Sequence, residues 1–168
     1  MNVPKQGLEI RPVRKRERFL SNFLTFLYFR RTDGVSFPMV SGFPGLIVVI
    51  PYLALSQVFF TKWRERKKYL FYFIALGHRV VGVLDLRKDV RTLYIYILAV
   101  SPDYRRIGIA TYALNQAEAI ANELHKEALE LAVLKKNTPA LRLYMRHGYS
   151  IKEEKRRSFI LRKQISEP

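Results

Sequence analysis

The stretch from Val100 to Ala110, Val-Ser-Pro-Asp-Tyr-Arg-Arg-Ile-Gly-Ile-Ala, constrains this chain most, because a strand must end in it and a long helix must begin. Before it, Thr92 to Val100 alternates Tyr94, Tyr96 and Leu98 with Leu93, Ile95 and Ile97, a β-branched and aromatic composition that reads as a buried strand. After it, Ala110, Ala113, Leu114, Ala117, Ile120, Ala121 and Leu124 recur at spacings of three and four. They share one helix face and leave Asn115, Glu118 and Asn122 on the other. Pro102 ends the strand. Gly108 lets the backbone come close to whatever sits at the helix start, where several N–H groups lack partners. Such an end attracts an anion, most often phosphate.

Thirty Lys and Arg against fourteen Asp and Glu give a net charge of +16, which calls for an anionic partner and says nothing about fold. A phosphorylated cofactor, nucleic acid, an acidic substrate and an anionic membrane all qualify. With 168 residues, 49% of them hydrophobic, the chain has the apolar mass for its own core, and one domain over residues 1–168 is expected. The absence of cysteine excludes disulfides, thiolate-held metals and a cysteine nucleophile, and makes the cytoplasm the default compartment. The longest uncharged stretch, Gly34 to Thr61, is broken by Pro38, Pro44, Pro51, Gly42 and Gly45. No apolar run in it approaches the ~20 residues of a transmembrane span. Met1 to Gln6 is polar and no apolar core follows it, so no secretory signal is expected.

In chain order, Leu8 to Val13 reads as a first strand near an edge, since it contains Pro12. A helix is expected from Arg14 to Phe29, with Phe19, Leu20, Phe23, Leu24, Leu27 and Tyr28 as its apolar stripe. Arg14, Lys15, Arg16 and Arg18 crowd its positive end, either as a solvated face or for an anionic partner. Thr32 to Gly45 is loop. A second amphipathic helix starts at Pro51 and runs into the basic stretch Lys62 to Lys68. Tyr69 to Leu76 and Arg79 to Leu86, separated by Gly77-His78, form a hairpin, and Lys88-Asp89 turns into the strand at Thr92. Beyond the central helix, the strand at Leu129, Leu131 and Val133 is expected to lie parallel to the one at Thr92, because a helical crossover joins them. A helix from Thr138 to Arg146 stops at Gly148. A hairpin of Tyr149 to Glu153 and Ser158 to Arg162 closes the chain.

Two motifs in this order resemble the GNAT superfamily of acyl-coenzyme A dependent N-acyltransferases. The first is Gln/Arg-x-x-Gly-x-Gly/Ala, here Arg105-Arg106-Ile107-Gly108-Ile109-Ala110, directly after a strand ending Leu98-Ala99-Val100. The second is Asn-x-x-Ala-x-x-x-Tyr followed by Gly-aromatic, here Asn137, Ala140, Tyr144, Gly148 and Tyr149. The close match covers Thr92 to Ser150. The resemblance implies an α/β fold with a mixed, mostly antiparallel sheet of about seven strands, flanked by helices and splayed between the fourth and fifth strands. It implies acetyl transfer from acetyl-coenzyme A to a primary amine, by direct attack in a ternary complex and without a metal.

The resemblance also implies roles for particular residues. Main-chain groups of Leu98, Ala99 and Val100 would pair with the pantetheine arm and thioester. The backbone from Arg106 through Gly108, Ile109 and Ala110 to Thr111 would hold the pyrophosphate, and Ala110 stands where many relatives have glycine. Asn137 either binds the cofactor arm, caps its helix before Thr138-Pro139, or does both. Tyr144 looks like the general acid that protonates the departing thiolate, which asks for a neutral donor of high pKa; an aromatic on the inner face of a short helix is the simpler reading. The base is less legible. Some relatives carry glutamate at the position of Tyr94 and others at that of Ala132, and neither is acidic here. Glu130 reads as a solvated or salt-bridged strand residue, which leaves a water relay past Tyr94 or Tyr96. His78, His125 and His147 each have a local structural reason, and no metal-ligand spacing links them.

The acceptor is not legible. A peptide or protein amine is one candidate, and Phe37, Phe43, Leu46, Tyr52, Phe59 and Phe60 belong either to an apolar acceptor pocket or to packing on the sheet or a homodimer contact. Two other functions stay open on charge and on the missing glutamates: a nucleic-acid-binding module, and a coenzyme A-binding regulatory protein with weak turnover.

Overall fold

The computed structural model describes residues 7–14, 17, 20 and 68–165. The helices expected at Arg14 to Phe29 and Pro51 to Lys68, and the apolar stretch between them, lie outside these residues. Seven strands form one sheet: β1 (Leu8–Pro12), β2 (Tyr69–Leu76), β3 (Arg79–Lys88), β4 (Thr92–Val100), β5 (Ala128–Leu134), β6 (Ser150–Glu154) and β7 (Ser158–Gln164). Helix α1 (Ile109–Glu123) links β4 to β5, and α2 (Thr138–Arg146) links β5 to β6. The spatial order is β1-β2-β3-β4-β5-β7-β6, antiparallel throughout except between β4 and β5. The expected edge position of β1, the Gly77-His78 hairpin and the parallel β4–β5 pair are all present. Gly77 has φ +58°, which the tight turn between Leu76 and Arg79 requires.

The two faces of the sheet have separate cores. Ile74, Val81, Leu84, Leu86, Leu93, Ile95, Leu129 and Leu131 pack with Ile109, Ala113, Leu114, Ala117 and Ala121 of α1 and with Tyr144 of α2. The helical stripe expected in α1 is the face that is buried. On the opposite side, Val13, Phe73, Val83 and Ala99 form a second cluster, with Phe71, Val80 and Ile97 against it. Burying side chains of this size is worth roughly 1.5–3 kcal/mol each, which is why both faces of the central strands read as apolar.

The strict alternation expected for β4 is not what forms. Ile97 pairs with Asp85 and Ile95 with Leu86, so Tyr96 is an extra residue, a β-bulge. Past it the phase inverts. Leu98 and Val100 join the helix-side core with Leu93 and Ile95, while Ile97 and Ala99 turn to the other face. Tyr96 is left exposed, its ring edge-on to Tyr69 with centroids 5.9 Å apart. Glu118 likewise departs from a plain solvated face, since it pairs with Lys163 of β7 and lies 2.9 Å from His147 Nε2.

Gly82 sits where β3 passes closest to its neighbours. A Cβ there would lie 2.8 Å from the Ala99 carbonyl oxygen and 2.9 Å from Ile74 Cδ1. Because the first obstacle is backbone in a paired strand, Gly82→Ala should cost roughly 1–3 kcal/mol. Thermal unfolding should show a melting temperature several degrees lower; an unchanged value would mean that β3 and β4 separate freely at this point.

Candidate active site

The parallel pairing of β4 and β5 runs only from Thr92↔Ala128 to Ile95↔Leu131, although the strands continue to Val100 and Leu134. Its end coincides with the bulge at Tyr96. An extra residue bends and twists its strand, so β4 leaves β5 at that point and, among the described residues, its edge over Leu98, Ala99 and Val100 has no strand partner on the β5 side. The splay expected between the fourth and fifth strands is therefore present. Unpaired main-chain donors and acceptors line it, as at the edge of any sheet.

At the far end of this gap β4 runs into a short 3-10 turn (Pro102–Tyr104) and then α1. Two residues before the helix have left-handed backbones, Arg106 at φ +64° and Gly108 at φ +91°. The first intrahelical bond is from Tyr112 N–H to the Gly108 carbonyl, which leaves the N–H groups of Ile109, Ala110 and Thr111 outside the helix ladder. Gly108 has no side chain to cap them, and nothing lies within 4 Å of where its Cβ would be. Successive amides in such a turn form a concave anion site at the positive end of the helix dipole. Arg105 braces the loop rather than projecting from it, because its Nε donates to the Val100 carbonyl at 3.1 Å. That carbonyl thus keeps only its second lone pair for another donor.

Helix α2 places the second motif on the same face. Asn137 caps it, its Oδ1 accepting from Ala140 N–H at 3.3 Å, so the capping reading of Asn137 holds. Tyr144 is 9% exposed within the helix-side core, its ring edge-on to Tyr149 at 5.7 Å. Burial pushes its phenol up to about 12, so it stays protonated at neutral pH. Tyr149 is pushed up too, by burial first and then by Glu118 and Tyr144, and its buried hydroxyl has no partner among the described residues.

The opposite face carries charge held in pairs. Glu130, 8% exposed, accepts from Lys152 Nζ and Arg162 at 2.8 Å each, which makes it salt-bridged. Lys152 is itself the extra residue of a bulge in β6. Tyr94 is half-buried beneath the Arg87 guanidinium, 4.8 Å from its ring centroid, and Arg87 is held by both carboxylate oxygens of Asp89. Burial raises the Tyr94 pKa, partly offset by Arg87. Among the described residues no carboxylate stands free beside Tyr94 or Ala132. His78 lies in its hairpin turn and His125 just past α1, and no metal-holding cluster occurs among the described residues.

One group was not singled out from the sequence. Asp85, in the middle of β3, is 2% exposed, and its Oδ1 has no hydrogen-bond partner among the described residues. Burial pushes its carboxyl up to about 7. A lone carboxylate in Val80-Val81-Gly82-Val83-Leu84-Asp85-Leu86 was the available signal, since a strand apolar on both faces has no solvated side for it.

A gap between parallel strands that ends at an amide-lined helix start is a site for an extended molecule with a phosphate end. Residues 45–149 match the model of the acetyltransferase (GNAT) family, and this chain belongs to that family. Its activity class is acetyl-coenzyme A dependent N-acetyl transfer. The fold is similar to that of PaiA N-acetyltransferase from Thermoplasma acidophilum in complex with coenzyme A, at 16% identity and TM-score 0.69, over 94% of this chain and 98% of that one. It is also similar to a GNAT family acetyltransferase from Elizabethkingia anophelis with acetyl-CoA bound, at 16% identity and TM-score 0.59, over 95% and 99% of the two chains. The ribosomal-protein-S18-alanine N-acetyltransferase from Escherichia coli matches at 15% identity and TM-score 0.66, over 96% of each. A sequence search of curated proteins finds no match. No helix among the described residues is long and apolar enough to cross a membrane.

Asp85 also sets a pH dependence of stability. Its folded-state pKa lies above that of an unfolded aspartate, so between about pH 4 and pH 7 the folded state binds the extra proton and stability falls as pH rises. The contribution lost amounts to a few kcal/mol, on the order of 4 at most, and is constant above pH 7. Asp85→Asn should therefore raise the melting temperature at pH 8 but scarcely at pH 4; equal shifts at both pH values would show that this carboxyl does not change charge while folded.

Proposed function

We propose that this chain acetylates a primary amine of a peptide or protein by direct attack in a ternary complex with acetyl-coenzyme A. The observation that supports this reading best is the run of the β4–β5 gap into the start of α1, one continuous track of main-chain groups outside the β4–β5 pairing and the helix ladder. In this reading Leu98, Ala99 and Val100 add the pantetheine arm to β4 as a further strand would be added. Arg106, Ile107, Gly108, Ile109, Ala110 and Thr111 hold the pyrophosphate with backbone amides, so the site needs no lysine. Arg105 keeps the loop seated on β4. Asn137 Oδ1 is engaged as a cap, which leaves its amide NH2 to donate to the arm, and Ala140 keeps that side of α2 small.

Tyr144 acts as the general acid. A phenol held at a pKa of about 12 is neutral at working pH and gives its proton to sulfur only as negative charge develops there. Tyr94, beneath Arg87, orders a water on the acceptor side. The fit of the acceptor follows from charge. A protein of net charge +16 repels a polycation such as spermidine and favours an amine in an apolar or acidic setting.

Two variants separate binding from chemistry. Gly108→Glu should abolish coenzyme A binding in calorimetry, through strain at a left-handed position and like charge against phosphate. Tyr144→Phe should leave that affinity within about twofold while turnover falls about 10²-fold or more. Unchanged affinity in the first would remove the pyrophosphate site, and unchanged turnover in the second, with chemistry rate-limiting, would return Tyr144 to the core. Mass spectrometry after incubation with acetyl-coenzyme A should find peptides with apolar or acidic N-terminal residues acetylated faster than spermidine, with a preference that weakens in salt. Faster acetylation of spermidine at low salt would overturn the acceptor reading.

A further inference from the structure

Asp85 is a buried carboxyl that the reading above leaves without a role, and its position relative to the gap is specific. It faces away from the helices. Its partner on β2 is Phe71 and its partner on β4 is Ile97, both of which pack in the second core with Val83 and Ala99. Tyr144 lies in the other core, on the helix side. The gap between β4 and β5 passes through the sheet between these two faces. Asp85 is one strand spacing, about 4.8 Å, from Ile97, the residue beside Leu98 at the start of the unpaired edge.

Acetyl transfer to an ammonium group has a proton balance that one acid cannot meet. The nitrogen loses two protons as the C–N bond forms and the C–S bond breaks. Sulfur takes one of them. The other needs an acceptor on the side from which the amine arrives, opposite the group that protonates sulfur. Among the described residues Glu130 is committed to Lys152 and Arg162, Asp89 to Arg87 and Glu17 to Arg11, while Glu9 is exposed on the edge strand β1, three strands from β4. Asp85 keeps an oxygen with no partner.

We propose that Asp85 is the proton acceptor on the amine side of this enzyme, taking through one water the proton that the incoming ammonium loses before attack, and later releasing it to solvent. This rests on the placement of the thioester beside Leu98 given above. A buried carboxylate without an ion-pair partner has the basicity for the task, since its proton is held more tightly than that of an exposed aspartate. The charged and titratable groups of the described strands on this face are Glu9 and Arg11 of β1, Tyr69 of β2, Arg87 of β3 and Tyr94 of β4. Arg11 is held by Glu17 and Arg87 by Asp89, so neither cation is committed to Asp85.

The test begins with the unaltered protein, because it requires no acceptor. The chain has four aspartates, and in full-length protein labelled at the aspartate carboxyl carbon, with coenzyme A bound, one NMR signal should titrate near pH 7 and vanish in Asp85→Asn. A carboxyl that titrates in the ordinary aspartate range overturns the proposal whatever the variants do. With the peptide acceptors described above, Asp85→Asn should lower kcat about 10²-fold or more and lose the wild-type rise in rate through neutral pH. Its acetyl-coenzyme A affinity should stay within about threefold. Asp85→Ala should recover activity in formate, which a merely structural aspartate would not allow. A kcat within threefold of wild type with the same pH profile overturns the proposal, and so does loss of cofactor affinity in Asp85→Asn. Failure of Gly108→Glu to affect binding would instead count against the thioester placement, so the two readings fail separately.

Discussion

One inserted residue governs the working part of this molecule. With Tyr96 bulged out of the β3–β4 ladder, β4 cannot stay parallel to β5, and their pairing stops at Ile95 and Leu131. Were β4 regular, its edge over Leu98 to Val100 would be satisfied by β5 and no track would exist. The same insertion exchanges the faces of the residues beyond it, so Leu98 and Val100 anchor the strand in the helix-side core while Ile97 and Ala99 belong to the other side. Gly82, against the Ala99 carbonyl, permits β3 to follow this course.

The helix start completes the track by a different physical effect. Two left-handed residues, Arg106 and Gly108, turn the chain so that the first amides of α1 point outward, and the helix dipole adds to them. The +16 charge acts at longer range, raising the local concentration of any polyanionic ligand, whereas in the proposed site the amides decide where its phosphates rest. Loop and strand are tied together by Arg105 on the Val100 carbonyl.

The two faces of the sheet differ in how they treat ionisable groups. On the helix side Tyr144 and Tyr149 are held neutral by burial. On the other, Glu130, Arg87 and Arg11 are neutralised in pairs, whereas Asp85 carries the cost of desolvation with no hydrogen-bond partner for its Oδ1 among the described residues. A group kept at such a cost in stability is what a proton-transfer step requires, since neutral pH then lies near its titration.

Most of the strand order was legible because local signals carry it: the Gly77-His78 turn, the three-four stripe of α1, and the crossover that makes β5 parallel to β4. The family was legible from Arg105 to Ala110 and Asn137 to Tyr149, where backbone geometry demands particular residues at fixed spacing. Glu130 was legible as solvated or salt-bridged, and its burial beside Lys152 and Arg162 decides for the second. The bulge at Tyr96 was not, because Tyr94, Tyr96 and Leu98 continue an alternating pattern and only pairing with β3 reveals which residue is extra. Nor was Asp85, whose chemistry depends on burial from both sides by β2 and β4. The sequence by itself thus determined the described strands and helices, their order and the turn before α1, all set by near neighbours in the chain. The tertiary structure alone decided where the sheet opens and which carboxylate keeps an oxygen with no partner among the described residues, because strand register and desolvation are properties of segments distant in sequence.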